Sequence, residues 1–373
     1  MRLVVALLIV IIVYSLQKLI YSKYWNKGLD VTMNFGDEFV REGESSSLVE
    51  VISNDKRLPL PIIQVKFEIT RTFLFSEDDN SAVTDYYYRS DFFSMGAYRK
   101  ITRRYEFICS KRGCYHMNDM DIIGRDFLIT NKFIETIKHS EHICVLPRRV
   151  RDKEIPRRVI DMIGELVKVS SLYEDPFEFR GIREYQSYDS MHSINWNASA
   201  RSGSLMVNQY SGTYTRKVVL LLNTEKSGMI GAQKLLEDSI SICSTLALKL
   251  IGEHIPVAFA TNAEDVLSGG CAAVNAGADN AHIHTIDMTL ARVDAEKMAC
   301  DFSDIMKKYI EEKSSPVEYW IVSSYRRNDL LNEFDDYREK GYKVRMIIPE
   351  LDRIKLSERI KNDKDIMKWV VKE

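Results

Sequence analysis

The feature that most constrains the fold is an alternation of apolar strands and amphipathic helices that begins at Lys217. Residues 217–222 form a continuous apolar strand after one lysine, and residues 232–253 carry apolar side chains at helical spacing. Strands that alternate with helices predict a parallel or mixed sheet covered by helices on both faces. The later predicted elements are strands at 255–260, 317–322 and 342–348, helices at 295–313 and 328–340, and a loop at 269–280 that is rich in small residues.

The region before this alternation has the pattern of β-structure. Apolar Ile63, Val65, Phe67 and Ile69 alternate with polar residues, which is typical of a half-buried strand. Several short strands separated by turns predict a β-sandwich of the immunoglobulin-like kind over residues 28–147. The strands are predicted at 46–52, 63–70, 86–93, 98–108 and 142–146.

The chain begins with an apolar stretch at residues 3–20, interrupted only by Ser15, Gln17 and Lys18. Its length is about the minimum for a helix that spans a bilayer. Tyr21, Tyr24 and Trp25 follow it, as in an interfacial aromatic belt. A cleaved signal peptide is the alternative, but no small-x-small cleavage site follows the apolar core. We therefore predict a single-pass membrane protein that contacts the bilayer through residues 3–20.

The side of the membrane follows from charges and cysteines. Lys18, Lys23 and Lys27 lie after the apolar stretch and mildly favour a cytoplasmic body. Six cysteines are scattered over a large chain, and we interpret them as free buried thiols of a reducing compartment. The formal net charge of −2 gives no indication of nucleic-acid binding. The predicted divisions are an anchor and flank at 1–27, the β-sandwich at 28–147, a linker, helix and signature segment at 148–210, and an α/β domain at 211–373.

A group of cysteines and histidines in the β-region raises the question of zinc. Cys109, Cys114 and His116 lie on one stretch, and His142 and Cys144 lie on another. Zinc-binding cysteine pairs are usually two to four residues apart, with a second pair farther along the chain, so Cys109-x4-Cys114 is a poor match. Alternation along a strand places a cysteine inward as a small hydrophobe just as readily. The sequence therefore favours core cysteines over a metal site.

Residues 178–210, which we call the signature segment, are dense in arginines, carboxylates and aromatic rings. Arginine forks pair with carboxylates, and aromatic rings stack on guanidinium groups, so the segment can fix a loop or present a recognition surface. In the structural interpretation, Trp196 and Ile194 anchor the loop, while Arg183 and Arg201 hold acidic partners. The charged residues are Glu178, Arg180, Arg183, Glu184, Asp189 and Arg201, and the aromatic residues between them include Tyr185, Tyr188 and Trp196.

The signature segment resembles the pattern of the domain of unknown function 58 family. Tyr188 stands where that family usually has glycine, and His192 stands where it usually has arginine. Weaker resemblance continues through most of the chain after the first helix, including residues 56–61 and 109–115. The matching residues are Glu178, Phe179, Arg183, Tyr185, Asp189, Ile194, Trp196, Ser199, Ala200, Arg201, Gly203, Leu205, Met206 and Val207.

The resemblance implies a partner, a MoxR-type AAA+ ATPase. It also leads us to predict that the partner-binding or structural residues are Arg183, Tyr185, Asp189, Trp196 and Arg201. The order of strands and helices after residue 211 resembles a von Willebrand factor A-like fold. In that fold a D-x-S-x-S motif at the end of the first strand binds Mg²⁺ through oxygen ligands.

The residues aligned with this metal motif are Asn223, Glu225 and Ser227, so aspartate is replaced by asparagine and the first serine by glutamate. Ser323 and Ser324 stand where another aspartate is expected. Two alternatives follow, a weak Mg²⁺ site or a relic turn without metal, and we predict no cofactor.

The sequence contains neither a phosphate-binding loop of the G-x-x-x-x-G-K-[ST] kind nor a G-x-S-x-G elbow. We therefore predict a membrane-anchored, non-enzymatic interaction or scaffold protein that works with the ATPase in assembly or maturation of envelope or other complexes. One alternative is a metal-dependent adhesion-type protein with its body outside the membrane. The other is a hydrolase that uses Ser199 or Ser202 together with His192 and Asp189.

Overall fold

The fold consists of two compact units, Met1–Arg148 and Arg149–Glu373. The structure is a computed structural model. It describes residues 2–75, 81–83, 86–138, 140–171, 174–186, 189–212, 217–226, 231–311, 317–351 and 363–371.

The first unit begins with helix α1 (Arg2–Tyr24). Residues Leu3–Tyr24 are long and apolar enough to cross a membrane, and among the described residues no other helix has these properties. The apolar side chains of α1 are mostly exposed. A membrane span and a signal sequence both have such a helix.

The end of α1 is packed into the β-sheet unit. Tyr21 and Trp25 are buried, and the Tyr21 hydroxyl donates a hydrogen bond of 2.9 Å to the carbonyl of Pro59. The Trp25 ring stacks on Phe133, and a Cβ on Gly124 would collide with the Trp25 ring. The interpretation of these two residues as an interfacial aromatic belt is therefore wrong, because both rings fill the core of the unit instead.

Two antiparallel sheets enclose the core of this unit, as in a β-sandwich. Their strand orders are β1-β3-β8-β5 and β11-β10-β4-β7-β6, and a smaller sheet has the order β2-β12-β9. The five strands predicted from alternation are all present. The strands are β1 (Leu29–Phe35), β2 (Phe39–Arg41), β3 (Ser45–Asn54), β4 (Leu60–Thr70), β5 (Phe73–Phe75), β6 (Ser81–Val83), β7 (Tyr86–Met95), β8 (Arg99–Cys109), β9 (Gly113–His116), β10 (Met120–Arg125), β11 (Lys132–Ile137) and β12 (His142–Leu146).

A charged network is buried inside the sandwich. The Arg89 guanidinium donates to Asp91 at 2.8 Å, and the Tyr105 hydroxyl donates to Glu50 at 2.6 Å and to Asp91 at 3.1 Å. Arg103 reaches the other oxygen of Asp91 at 3.3 Å. Burial raises the pKa of Glu50 to about 7, an effect that the Tyr105 hydrogen bond partly opposes.

The second unit is built on a sheet with the strand order β17-β16-β15-β19-β20-β21. The strands from β16 to β21 along this order are parallel, whereas β17 and the short β18 pair antiparallel with β16. The elements are α2 (Arg157–Ser171), β13 (Glu174–Glu184), α3 (Trp196–Ser202), β14 (Met206–Gly212), β15 (Lys217–Asn223), α4 (Ala232–Gly252), β16 (Val257–Asp265), β17 (Cys271–Gly277), α5 (Asn280–Arg292), β18 (Val293–Met298), α6 (Phe302–Ile310), β19 (Val317–Ser323), α7 (Asn328–Glu339), β20 (Lys343–Leu351) and β21 (Ile366–Val371).

Helices cover both faces of this sheet, as the alternation in the sequence predicts. Alternate residues of β15 face opposite sides, with Leu220 in one hydrophobic cluster and Leu221 in the other. Residues of α2, α4 and α5 fill the first cluster, and residues of α6 and α7 fill the second. The apolar side predicted for α4 is buried throughout, at Leu235, Ile240, Ile242, Leu246 and Leu250.

Two predicted elements differ from the structure. The segment 269–280 contains strand β17 rather than a loop, and the predicted helix at 295–313 is replaced by β18 followed by the shorter α6. Both strands pair with β16. Pairing with β16 satisfies the backbone hydrogen bonds of two segments whose own residues show no strand-like alternation, so local periodicity could not reveal these strands.

Four of the six cysteines are disulfide-bonded, so the expectation of free thiols is wrong for these four. Cys114 bonds to Cys144 and Cys271 bonds to Cys300, at sequence separations of 30 and 29 residues. Only the tertiary structure brings these residues together. Because disulfides are typical of oxidising compartments, the cysteines no longer favour a cytoplasmic body.

The other two cysteines, Cys109 and Cys243, are free and buried. Burial raises the pKa of both thiols. They therefore remain protonated at neutral pH and are inert.

Candidate functional site

The signature segment forms a two-stranded antiparallel ribbon with a short helix at its end. Ile182 of β13 pairs with Asn208 of β14, and Arg183 pairs with Val207. A 3₁₀ turn (Met191–Ser193) and helix α3 lie between the two strands. The segment is thus a compact substructure of the second unit.

Arg183 of the ribbon and Asp189, which lies just before the 3₁₀ turn, form an arginine–carboxylate fork. Two nitrogens of Arg183 donate to the two oxygens of Asp189, each at 2.6 Å. The Gln186 N–H donates to the same carboxylate at 2.8 Å. The Arg183 hydrogen bonds hold the pKa of Asp189 below its usual range. The carboxylate therefore remains ionised at neutral pH and ties Asp189 to the end of β13 through a two-point contact.

Helix α3 is attached to the ribbon through Asn195, the residue that precedes it. The Asn195 side-chain oxygen accepts from the Ala198 N–H at 2.9 Å, and its amide nitrogen donates to Asn208 at 2.7 Å. The Asn195 N–H donates to the Met206 carbonyl at 2.8 Å. Gly203 ends the helix with a positive φ of 74°, a conformation that favours glycine. Asn195 thus caps the helix and joins it to β14.

The Arg183–Asp189 fork and the Asn195 cap together form a hydrogen-bonded base for the signature segment. Some of the predicted site residues belong to this base, and others are exposed to solvent. Arg183 and Asp189 belong to the base, and Tyr185 is half-buried with its N–H bonded to the Leu205 carbonyl. Trp196 is 65% exposed, so its predicted role as a loop anchor is wrong; Ile194 is buried and serves that role.

The predicted clamp by Arg201 is also wrong. Its side chain is exposed and makes no hydrogen bond or ion pair with the part of the chain that the structure describes. The reason is its position near the end of α3, where its side chain is exposed, whereas Arg183 is the arginine that binds Asp189. Tyr188, at the family's glycine position, lies outside the described residues.

The two serines considered for hydrolysis are bonded to the backbone. The Ser199 hydroxyl donates to the Asn195 carbonyl at 2.8 Å and accepts from the Met206 N–H at 2.8 Å. The Ser202 hydroxyl donates to the Ala198 carbonyl at 3.0 Å. Neither forms a hydrogen bond with His192 or any other described histidine. In this arrangement both hydroxyls stabilise α3 through hydrogen bonds to the backbone.

The second candidate site is the turn after β15, where buried amides bond to one another. The Asn223 side-chain oxygen accepts from the Glu225 N–H at 2.9 Å and from Asn262 at 3.3 Å, and the Asn223 amide nitrogen donates to Glu225 at 3.1 Å. The Asn262 oxygen in turn accepts from the Thr224 N–H at 2.9 Å and from the Thr224 hydroxyl at 3.0 Å. The polar groups of the turn therefore satisfy each other.

This turn lies at a position where ligands often bind in α/β sheets. Asn223 pairs with Ser323 across the neighbouring ends of β15 and β19. The chain continues from β15 to β16 on one side, and β19 lies on the other, so this is the topological switch point of the sheet.

A Mg²⁺ ion does not fit the described residues of the turn. The Asn223 oxygen already faces two N–H donors, and the Ser323 hydroxyl donates to the Tyr325 carbonyl at 2.9 Å. Glu225 is the remaining carboxylate, whereas Mg²⁺ prefers several oxygens around an octahedron. Ser227, the third aligned residue, lies outside the described residues.

Asn195 and Asn262 were not predicted as site residues. The sequence could have indicated the role of Asn195, because asparagine is a preferred residue at the N-cap of a helix. Asn262 lies within the buried strand β16, and nothing local indicates that its side chain reaches the turn after β15.

A family model described as "Protein of unknown function DUF58" matches residues 181–303. The match begins in the signature segment and supports the resemblance seen there. No curated protein matches the chain.

Two solved structures illustrate the similarity found for about a third of the chain. The CARDB domain of a Pyrococcus furiosus protein, solved with di-metal ions, is 16% identical over 31% of this chain and 94% of that chain, with a TM-score of 0.20. A non-cellulosomal cohesin from Archaeoglobus fulgidus is 10% identical over 31% of this chain and 91% of that chain, with a TM-score of 0.21. At these values the likeness carries no argument about function.

Proposed function

We propose that the chain is a membrane-anchored interaction protein that docks its partner through the signature segment. The observation that carries this proposal is a set of exposed anchor-type side chains on a hydrogen-bonded base. Trp196 is 65% exposed and Met191 is 69% exposed. We call the exposed set the signature surface; it comprises Ile182, Met191, Trp196, Arg201 and Leu205.

The composition of the signature surface suits a protein partner. Tryptophan and arginine are the side chains most often found as binding hot spots, and exposed apolar side chains gain most when a partner removes them from water. The Arg183–Asp189 fork and the Asn195 cap fix the base beneath them. Because the base is already ordered, binding entails little loss of conformational entropy.

The partner we propose is a MoxR-type AAA+ ATPase, which the family resemblance implies. Such an ATPase would act on, or through, this chain during assembly or maturation of envelope or other complexes. The apolar helix α1 would hold the chain at the membrane, and Lys18, Lys23 and Lys27 favour a cytoplasmic body. We assign no catalytic step to the chain and route none through a metal at Asn223.

A cytoplasmic body has a consequence for the cysteines. In a reducing compartment, the Cys114–Cys144 and Cys271–Cys300 pairs would be dithiols rather than disulfides. Rapid alkylation of intact cells with a membrane-permeant thiol reagent should then label these cysteines, while an impermeant reagent should not. Cysteines that react only after chemical reduction would argue against a cytoplasmic body.

The docking test is a binding titration of the full chain in detergent. The chain is immobilised, and the MoxR-type ATPase of the same organism is added with ATP or a slowly hydrolysed analogue. Trp196→Ala and Arg201→Ala should each weaken binding by about 10-fold or more, because they remove hot-spot side chains. Matched controls are Leu267→Ala and Arg158→Ala, which remove exposed side chains elsewhere in the same unit.

The controls should change the dissociation constant by less than about twofold. No binding under either nucleotide, or equal weakening by all four substitutions, would refute the proposed docking. Circular dichroism of each variant establishes that the fold is retained.

The second candidate function is a binding protein whose body lies outside the membrane. The two disulfides are the observation that favours it. Calorimetry with Mg²⁺ and Mn²⁺ decides whether such binding depends on metal, and the bonded amides of the Asn223 turn lead us to expect no heat at millimolar concentrations.

A further inference from the structure

Four side chains of metal-binding types share one face of the ladder between β9 and β12. Cys114 lies opposite Cys144, and His116 lies opposite His142. Because side chains alternate along a strand, residues 114 and 116 project to the same side, as do 142 and 144. Directly opposed side chains have Cβ atoms about 4.5–5.5 Å apart. The register thus places two thiols and two imidazoles at the corners of a small quadrilateral.

The other face of the same ladder belongs to the hydrophobic core. Ile143 and Val145 are buried in the core cluster of the sandwich, and Tyr115 packs against it. His116 and His142 are exposed, and their ring centroids lie 5.7 Å apart. The histidine side of the quadrilateral is therefore open to an ion from solution, while Cys114 is partly buried and Cys144 is buried.

We propose that Cys114, His116, His142 and Cys144 form a zinc site when the cysteine pair is reduced. Two thiolates and two imidazoles are a common ligand set for structural zinc, which they surround tetrahedrally. In the disulfide form, the two sulfurs are bonded to each other, and within the described residues no group of three or more His, Cys, Asp or Glu side chains is placed to hold a metal. The metal and the disulfide are alternative states of one cysteine pair.

The interconversion requires a reductant and an oxidant, which we name by class. A dithiol reductant gives two electrons and two protons to the disulfide and is itself oxidised to a disulfide, leaving two cysteine thiols. Zinc then displaces the two thiol protons and binds the thiolates. In the reverse direction, hydrogen peroxide takes two electrons from the two thiolates. The S–S bond forms, zinc leaves as Zn²⁺, and the peroxide takes up two protons to become two water molecules.

Both states cross-link the same two strands. Among the described strands, β9 is at the edge of its sheet and pairs with β12 alone. A bond between Cys114 and Cys144, or a zinc ion shared by both strands, holds this edge strand in place. The proposed zinc site thus supplies in a reducing compartment the cross-link that the disulfide supplies in an oxidising one.

The second cysteine pair serves as an internal comparison. Cys271 lies opposite Glu264 in the ladder between β16 and β17, and no histidine pair accompanies it as His116 and His142 accompany Cys114. Replacing Cys271 and Cys300 should therefore leave zinc binding at the β9–β12 ladder unchanged.

The experiment is a measurement of zinc retained by the full chain in detergent. The protein is reduced with a metal-free phosphine, incubated with Zn²⁺, desalted without oxygen and analysed by mass spectrometry for zinc per chain. We expect about one zinc per reduced chain and close to none per oxidised chain. His116→Ala/His142→Ala should lose the zinc, whereas Cys271→Ser/Cys300→Ser should keep it.

Cobalt provides a second readout that identifies the ligands. Co²⁺ bound to the reduced chain should show thiolate-to-metal charge transfer and the strong visible bands of tetrahedral coordination, and Cys114→Ser/Cys144→Ser should lose both. The proposal is wrong if the reduced chain retains no zinc, or if the double histidine variant retains as much zinc as the unmodified chain. The histidines are exposed, so their replacement should not unfold the sandwich, which circular dichroism verifies.

The zinc site and the proposed docking can fail separately. The zinc ligands belong to the first unit and the signature surface to the second. Loss of zinc in the histidine variant with unchanged ATPase binding would support the site and leave the docking proposal untouched.

Discussion

The pairs Arg89–Asp91 and Arg183–Asp189 have the same residue types in opposite surroundings. The Arg89 and Asp91 side chains are 5% and 2% exposed, whereas those of Arg183 and Asp189 are 38% and 9% exposed. The first pair belongs to a buried network that must be satisfied for the sandwich to form. The second pair ties Asp189 to the end of β13 at the surface. The comparison shows that burial, rather than residue type, decides whether an ion pair governs stability or the shape of a surface.

The largest effect is expected when the buried pair is broken by Asp91→Ala. Asp91 accepts from Arg89, Arg103 and Tyr105, so its loss leaves buried donors without this acceptor. Removal of one partner of a buried pair typically costs about 3–5 kcal/mol. The measurement is urea unfolding followed by circular dichroism.

The matched control for Asp91→Ala is Asp121→Ala in the same unit. Asp121 is exposed and accepts one hydrogen bond from Thr136. Its loss should cost less than about 1 kcal/mol. Equal losses for the two variants would contradict the role given to burial.

The second effect is a pH dependence that comes from Glu50. Burial raises the pKa of this carboxyl to about 7 in the folded chain, above its ordinary value of 4.5. The folded state therefore holds a proton that the unfolded state releases, and stability should fall as the pH rises from about 4.5 to about 7. The loss should be roughly 3 kcal/mol, at about 1.4 kcal/mol per pKa unit.

Glu50→Gln tests this assignment because glutamine resembles the protonated acid and does not titrate. The variant should lose the decline in stability over that pH interval. Glu141→Gln, which changes an exposed glutamate of the same unit, should retain it. A decline that persists in Glu50→Gln would show that another group causes it.

A smaller effect is expected at the base of the signature surface from Asn195→Ala. The variant removes the hydrogen bond from the Ala198 N–H to the Asn195 side chain. Loss of an N-cap usually costs about 1 kcal/mol. Asn195→Ser retains a cap acceptor and should recover most of the loss in urea unfolding; no difference between serine and alanine would refute the cap.

The smallest effect on stability is expected from Asp189→Ala, although it breaks a bidentate ion pair. The shift in the unfolding midpoint should be smaller than for Asp91→Ala, because water can solvate the freed Arg183. Binding of the partner should nevertheless weaken by about 10-fold, because the contact that ties Asp189 to β13 orders the surface before the partner binds. Unchanged binding in a folded variant would separate the fork from the docking surface.

The regular elements were predictable wherever one local pattern extended over many residues. The alternation at Ile63–Ile69 and the apolar run at 217–222 both correspond to strands, and the apolar side of α4 is buried as expected. Strand β17 was missed because its small residues show no strand-like alternation, although it pairs with the preceding strand β16. The disulfides were missed because their cysteines lie 30 and 29 residues apart in the chain. Trp196 was misplaced because the preference of tryptophan for the interior does not specify which side of a short helix faces the solvent.

The sequence by itself determined the apolar helix, the strand-rich first region and the α/β order of the second, because these depend on periodicity within a segment. It also contained the arginine, aspartate and tryptophan of the signature segment. Only the tertiary structure decided which arginine binds Asp189, which polar groups close the Asn223 turn, and that Cys114 and His116 face Cys144 and His142. The physical reason is that register and packing between distant segments fix which side chains meet, and local propensities carry no information about register.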